Sequence, residues 1–153
     1  MRRKAGELAE NFRLPMLDGS QFEFSSLKGR PYMLSFFRFA SCPFCNLRMH
    51  QLVGRQAELD PRFAIVAVFD SSLDNLREHA QRHHSPFPVL ADSSGSAYAL
   101  YGIEHSVLGV LKGMFWRMPT LLYAMFARGY VPTRIKGSMT TMPADFLVDA
   151  AGV

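Results

Sequence analysis

The chain contains two cysteines, Cys42 and Cys45, three positions apart in Ser41-Cys42-Pro43-Phe44-Cys45-Asn46. So close a pair cannot build a disulfide scaffold; it suits redox chemistry or a metal. The reactive form is the thiolate, so the pair needs surroundings that remove a proton. An apolar run precedes the cysteines and a helical pattern follows them, which sets both sulfurs at a helix start. Unpaired backbone N–H groups and a charge equivalent of about +0.5 favour an anion there. Free cysteine titrates near about 8.5, and helix-start pairs of this spacing fall to roughly 3.5–7.5. Cys42, at the helix mouth, is the expected nucleophile, and Cys45 is placed to resolve an adduct formed on it. Residues i and i+3 of a helix hold their Cβ atoms about 5–6 Å apart. A disulfide needs about 3.8 Å. Distortion at Pro43, which is tolerated in a first helical turn, supplies the difference. Phe44 adds apolar surface beside the sulfurs. The plain alternative is a pair of buried structural cysteines.

A zinc site is a further alternative, because His79 and His83 stand at i and i+4 on an expected helix. However, 33 residues separate Cys45 from His79, against about 12–15 in a zinc finger. His79, His83 and His84 are therefore expected on a solvated helix face. His50 and His105 have no visible partner in the sequence.

The elements that must hold the cysteines follow from periodicity. Residues 31–39 (PYMLSFFRF) form a short apolar run bounded by turn residues, which predicts a buried strand. Apolar positions 44, 47, 49, 52, 53, 57 and 59 follow a helical period, and Pro61 ends that helix. Residues 62–70 (RFAIVAVFD) predict a second buried strand. Ser72 is a plausible N-cap for a helix running to about His84. Pro86 and Pro88 break it, Val89 to Ala91 is a short third strand, and 94–101 reads as a short helix stopped by Gly102. Upstream, Asp18-Gly19 between two alternating stretches predicts a hairpin over 12–24. Phe146 to Asp149 predicts a last strand. This alternation argues for an α/β sheet flanked by helices.

Residues 106–128 differ. Fifteen of the twenty-one residues from Val107 to Ala127 are apolar, close to the roughly 20 that span a bilayer. Lys112 and Arg117 sit near the middle, each costing about 2.5–3.5 kcal/mol at a membrane centre. Two short helices broken at Pro119 are expected instead. They would cover a substrate groove, form a homodimer face or rest on a membrane surface.

The 153 residues fit one domain, 48% of them apolar and 20% charged, which is enough to build a core. The net charge of +4 is scattered apart from Arg2-Arg3-Lys4. It makes a weak case for nucleic acid, and none is expected as a partner. The N-terminus lacks an apolar signal region, so the expected location is cytoplasmic.

Ser35 to Met49 (SFFRFASCPFCNLRM) resembles the active-site stretch of the peroxiredoxin-like branch of the AhpC/TSA family (alkyl hydroperoxide reductase/thiol-specific antioxidant). Phe37-Arg38 stands where that branch has Tyr-Arg. Residues 11–20 (NFRLPMLDGS) and 26–31 (SLKGRP) resemble the family's hairpin lead-in. Residues 141–149 (TMPADFLVD) resemble the segment that carries the thioredoxin-fold cis-proline.

The resemblance implies a thioredoxin-like fold: a central mixed sheet flanked by helices, with an N-terminal hairpin and a helical insert before the cis-Pro strand. Pro143 would be cis and face the cysteines, and the Met142 backbone would bond an extended thiol or disulfide substrate. Pro43, Phe44 and Arg38 would complete the substrate site. Arg38 would supply positive charge near sulfur, although an arginine at a strand end is more often solvated. Two departures bear on the reaction. Typical peroxiredoxins have Pro-x-x-x-Thr-x-x-Cys, and aligning Cys45 with that cysteine puts Cys42 at the threonine and Arg38 at the proline. Aligning with thioredoxin makes Cys42 the nucleophile instead. The chain also ends soon after the last strand, as a single domain that would lack its C-terminal edge strand. Glutaredoxins share Cys-Pro-aromatic-Cys, but they are shorter and lack the preceding hairpin.

The expected function is a thiol-dependent oxidoreductase, an antioxidant enzyme with a redox-active disulfide formed between Cys42 and Cys45. It would reduce peroxides or disulfides, bind no cofactor, and be reset by an external thiol of thioredoxin or glutathione type. A thiol-disulfide reductase or isomerase without peroxidase activity is the first alternative. A non-catalytic metal-binding or membrane-surface module is the second.

Overall fold

The apolar runs become the centre of a four-stranded sheet in the computed structural model, which describes residues 3–132 and 138–153. Strand β1 (Tyr32–Phe37) and strand β2 (Ala64–Phe69) pair in parallel, Tyr32 opposite Ala64 through Phe37 opposite Phe69. Strand β3 (Val89–Ala91) adds in parallel to the far edge of β2. Strand β4 (Ala144–Val148) runs antiparallel on the other side of β1, giving the order β3-β2-β1-β4. Parallel neighbours need long crossovers, and two helices provide them: α1 (Pro43–Arg55) and α2 (Leu73–Ala80).

Both faces of β1 and β2 are covered, which is why their sequences read as unbroken apolar runs. Strand alternation then divides the core. Tyr32, Leu34 and Phe36, with Val66, Val68 and Leu90, pack against the N-terminal arm and helix α3 (Ser96–Leu100). Phe37, Ile65, Ala67 and Phe69 point the other way and pack with Cys42, Cys45, Met49, Leu76 and Ala80 of the α1/α2 layer. The cysteines thus belong to one face of the core.

Helix α2 starts as predicted, with the Ser72 hydroxyl accepting from the Asn75 N–H. It stops earlier than predicted: a 3-10 turn over Gln81–His83 ends at His84, whose backbone is left-handed at φ 46°. The N-terminal hairpin is reduced to a single bridge between Pro15 and Gln21 around the Asp18-Gly19 turn. Its first arm is drawn onto the sheet instead, where Met16 bridges Leu90 and the Ala91 N–H donates to Pro15.

The 106–128 stretch forms two short helices, α4 (Val107–Trp116) and α5 (Met118–Leu122), followed by a π-helical turn over Tyr123–Ala127. Arg117 leaves helical geometry between them, and Pro119 sits in the first turn of α5. No helix among the described residues is long and apolar enough to cross a membrane. Ala124 and Tyr130 anchor this segment on Leu47 of α1.

Pro143 is not cis. Among the described residues no peptide bond is cis. Residues 140–142 instead run extended beside 104–106: the Ser106 N–H donates to Thr140, and the Met142 N–H donates to Glu104. This pairing straightens the chain into β4 and is served by the ordinary trans bond, which X-Pro sequences prefer by about 0.5–1 kcal/mol.

Candidate functional site

Cys42 is the N-cap of α1 and Pro43 its first residue. The strand-to-helix turn is braced from within. Buried Asn46 donates through its side-chain amide to the carbonyls of Ala40 (2.7 Å) and Cys42 (3.0 Å). Those two bonds fix the amide's orientation, so its oxygen must accept, and its partner is His83 Nε2 at 2.8 Å. His83 therefore carries its proton on Nε2. Burial, helped by the nearby charges of Arg82 and His50, lowers its pKa to about 4.

The two cysteines lie within 3.4 Å of each other. Both are free thiols and both are buried. Their environments push them apart. A hydrogen bond from the Cys45 thiol, the backbone N–H groups of Cys45 and Phe44 and the charge of Arg38 lower Cys42 to about 7, against the cost of burial. Burial and the neighbouring Cys42 sulfur push Cys45 well above the ordinary thiol range. The arrangement favours a thiolate at Cys42 and a thiol at Cys45, with the helix start supplying amides to Cys42.

Arg38 is buried at 9% exposure, not solvated. The reason is local. Its guanidinium donates to the Met139 carbonyl at 2.6 Å and lies 5.5 Å from the Phe39 ring centre. Its backbone N–H donates to Cys45 Sγ at 3.3 Å. Its Nε is buried with no hydrogen-bond partner among the described residues. The Met139 loop is held in turn by Asp70, which accepts from the Ser138 N–H and from the hydroxyl of buried Thr141.

A groove of about 200 Å³ opens between α1 and α4. Arg38, Phe44, Cys45, Met142 and Pro143 meet on its wall, joined by Leu47, Arg48, Val110, Met114 and Arg117. Cys42 and Pro43 do not line it; both are buried in the turn. The Met142 backbone is not free for an extended substrate, because its N–H is already bonded to Glu104. Met142 contributes its side chain instead, close against Gly109 of α4.

His79 and His83 are buried, not solvated, whereas His84 is exposed as expected; His83 reaches Asn46 of α1 from the 3-10 turn after α2. His105, without a partner in the sequence, meets Ser138 and Thr141 through Nδ1. Among the described residues no three His, Cys, Asp or Glu side chains gather where they could hold a metal ion. Sequence reasoning missed Asn46 and Thr141 as functional residues and placed His83 on a solvated face. Asn46 was visible only as the residue after the second cysteine, and nothing in sequence joined it to His83, 37 positions away.

Residues 5–153 match the AhpC/TSA family. The chain belongs to the AhpC/TSA family. This member is a thiol oxidoreductase. A comparison with curated protein sequences finds no significant match. Among solved structures it is similar to peroxidoxin BcpB from Mycobacterium tuberculosis, with 19% identity over 96% of this chain and 79% of that one, at a TM-score of 0.62. Peroxiredoxin Q from Xanthomonas campestris superposes at 0.67 with 16% identity over 95% of this chain and 80% of that one. A secreted disulfide oxidoreductase from Mycobacterium tuberculosis superposes at 0.56 with 22% identity over 93% of this chain and 78% of that one. At these identities the likeness concerns the thioredoxin fold, which this AhpC/TSA protein shares.

Proposed function

We propose that this AhpC/TSA protein reduces peroxides through a Cys42–Cys45 dithiol centre. One observation carries the reading: the two thiols lie within 3.4 Å at a helix start whose amides and Arg38 hold Cys42 toward its thiolate. The Cys42 sulfur attacks the distal peroxide oxygen. The O–O bond breaks, and the leaving alkoxide takes a proton to become an alcohol. Cys42 is now a sulfenic acid. The Cys45 thiol attacks that sulfur, water leaves, and a disulfide closes with an S–S bond of about 2.05 Å. Two external thiols then exchange with the disulfide, restoring both cysteines and leaving as an oxidised pair. No bound cofactor takes part.

A second assignment of roles has its own support. Cys45, not Cys42, forms part of the groove wall. A substrate entering by the groove meets Cys45 first, and Cys42 then resolves. Disulfide substrates fit either order.

The test is free-thiol loss after one equivalent of hydrogen peroxide in the reduced protein, in Cys42→Ser and in Cys45→Ser. Fast loss of both thiols in the wild type supports a peroxidase. The variant that accumulates sulfenic acid retains the attacking cysteine. Loss at the rate of an ordinary thiol removes hydrogen peroxide as the oxidant and leaves a bulkier peroxide or disulfide exchange.

A further inference from the structure

We propose that the outer face of α4, α5 and the following π-helical turn docks this protein on an anionic lipid surface. The inner side of α4 is used: Gly109, Val110 and Met114 wall the groove against α1. Among the described residues, the outer side carries large apolar side chains left exposed. Leu108 (76% exposed), Leu111 and Phe115 (76%) fall at i, i+3 and i+7, one stripe of the helix. Trp116 (73%) at the end of α4 and Phe126 (82%) in the π-helical turn after the break at Arg117 are exposed as well. Contiguous exposed apolar surface of this kind marks an interaction site.

Charge selects the occupant. From His105 to Ala144 the sequence has Lys112, Arg117, Arg128, Arg134 and Lys136 and not one Asp or Glu. Lys112, Arg117 and Arg128 are exposed among the apolar side chains. Basic residues interleaved with Trp, Phe and Leu on a surface-lying helix match the headgroup boundary of an anionic bilayer. A second copy of the chain fits worse. In a two-fold contact the same patch meets itself, and these cations would face their own copies with no carboxylate in the segment to answer them. Spanning is not available to helices this short.

Docking by this face would bring the groove mouth to the lipid. Arg117 borders both: it lines the groove, and its guanidinium lies 5.5 Å from the Phe44 ring centre. The cysteines would then be approached from the membrane side. The docking itself is independent of the peroxidase reading.

The chain's one tryptophan is Trp116, so its emission reports this face alone. The reduced full chain is titrated with phosphatidylcholine vesicles and with vesicles containing phosphatidylglycerol as well. The expected result is a blue shift and co-flotation with the anionic vesicles at low salt, largely lost at high salt. Lys112→Gln should weaken partitioning about fivefold. Phe115→Ser should weaken it further. Neither residue lines the groove, so thiol oxidation without vesicles should stay unchanged in both variants and report intact folding. Absence of shift and flotation with anionic vesicles at low salt overturns the proposal. So does equal, salt-insensitive binding to neutral vesicles. A lipid-free dimer with Trp116 already shielded, seen by sedimentation, gives the face to a second copy and overturns it too.

Discussion

Cys42 and Cys45 are the same side chain with opposite proton preferences, because the Cys45 thiol donates to the Cys42 sulfur while burial beside that sulfur keeps Cys45 protonated. Cys42 receives the Phe44 and Cys45 N–H groups and the Cys45 thiol. Cys45 receives the Arg38 N–H but pays for full burial beside a sulfur anion. Arg38 acts on Cys42 through charge, so its removal raises the Cys42 pKa and leaves less thiolate at neutral pH. Wild-type alkylation should show a midpoint near 7. In Arg38→Met the midpoint should rise and the rate at pH 7 should fall several-fold, with the high-pH plateau unchanged. A pH series of alkylation rates checks this. An unmoved midpoint would leave Arg38 a purely structural residue.

At the scale of elements, α1 and α2 are locked together where the chemistry sits. Asn46 ties the first turn of α1 to the Ala40 and Cys42 carbonyls, and His83, in the 3-10 turn that follows α2, donates to Asn46. Either protonation state of the ring can donate from Nε2, so the proton preference is set by burial, which lowers the His83 pKa to about 4. In the unfolded chain histidine titrates near about 6.5. Between those values the unfolded state binds a proton that the folded state refuses, so stability falls as pH drops from about 6.5 to about 4. Above about 6.5 both states are neutral and the term vanishes; below about 4 both are protonated and it grows no further. His83→Gln keeps a donor toward Asn46 and removes the titration. Its denaturant midpoint should therefore fall less than that of the wild type across this window. Parallel slopes for the two proteins would place the pH dependence elsewhere.

At the scale of the molecule, one ring connects segments distant in sequence. Phe36 of β1 lies against Tyr98 of α3, Tyr101 after it, Phe146 of β4 and Phe12 of the N-terminal arm. Tyr98 in turn bonds the Phe37 and Val68 carbonyls at the ends of β1 and β2, just before the cysteine turn. Phe36→Ala should cost about 3–5 kcal/mol, because the four surrounding rings come from three segments and cannot all collapse into the space. Urea unfolding measures the loss. A cost below about 1 kcal/mol would mean that these segments close over the gap independently.

The local pattern of residues was sufficient for the strands β1 and β2, the helix start at the cysteines, the Ser72 cap and the break near Pro119. Each depends on neighbours within a few positions: an unbroken apolar run, a capping hydroxyl, a proline that cannot continue a helix. The cysteine pair and its helix-mouth setting were legible for the same reason. The fate of Arg38, His79, His83 and Pro143 was not. Sequence places an arginine at a strand end in solvent, yet Met139, 101 positions away, draws this one inward. The Met142-Pro143 bond stays trans because Glu104 and Ser106 hold that segment straight. The groove likewise exists only because α4 folds back over α1. These outcomes are set by long-range hydrogen bonds and packing between segments whose distance apart no local pattern encodes, so only the tertiary structure could decide them.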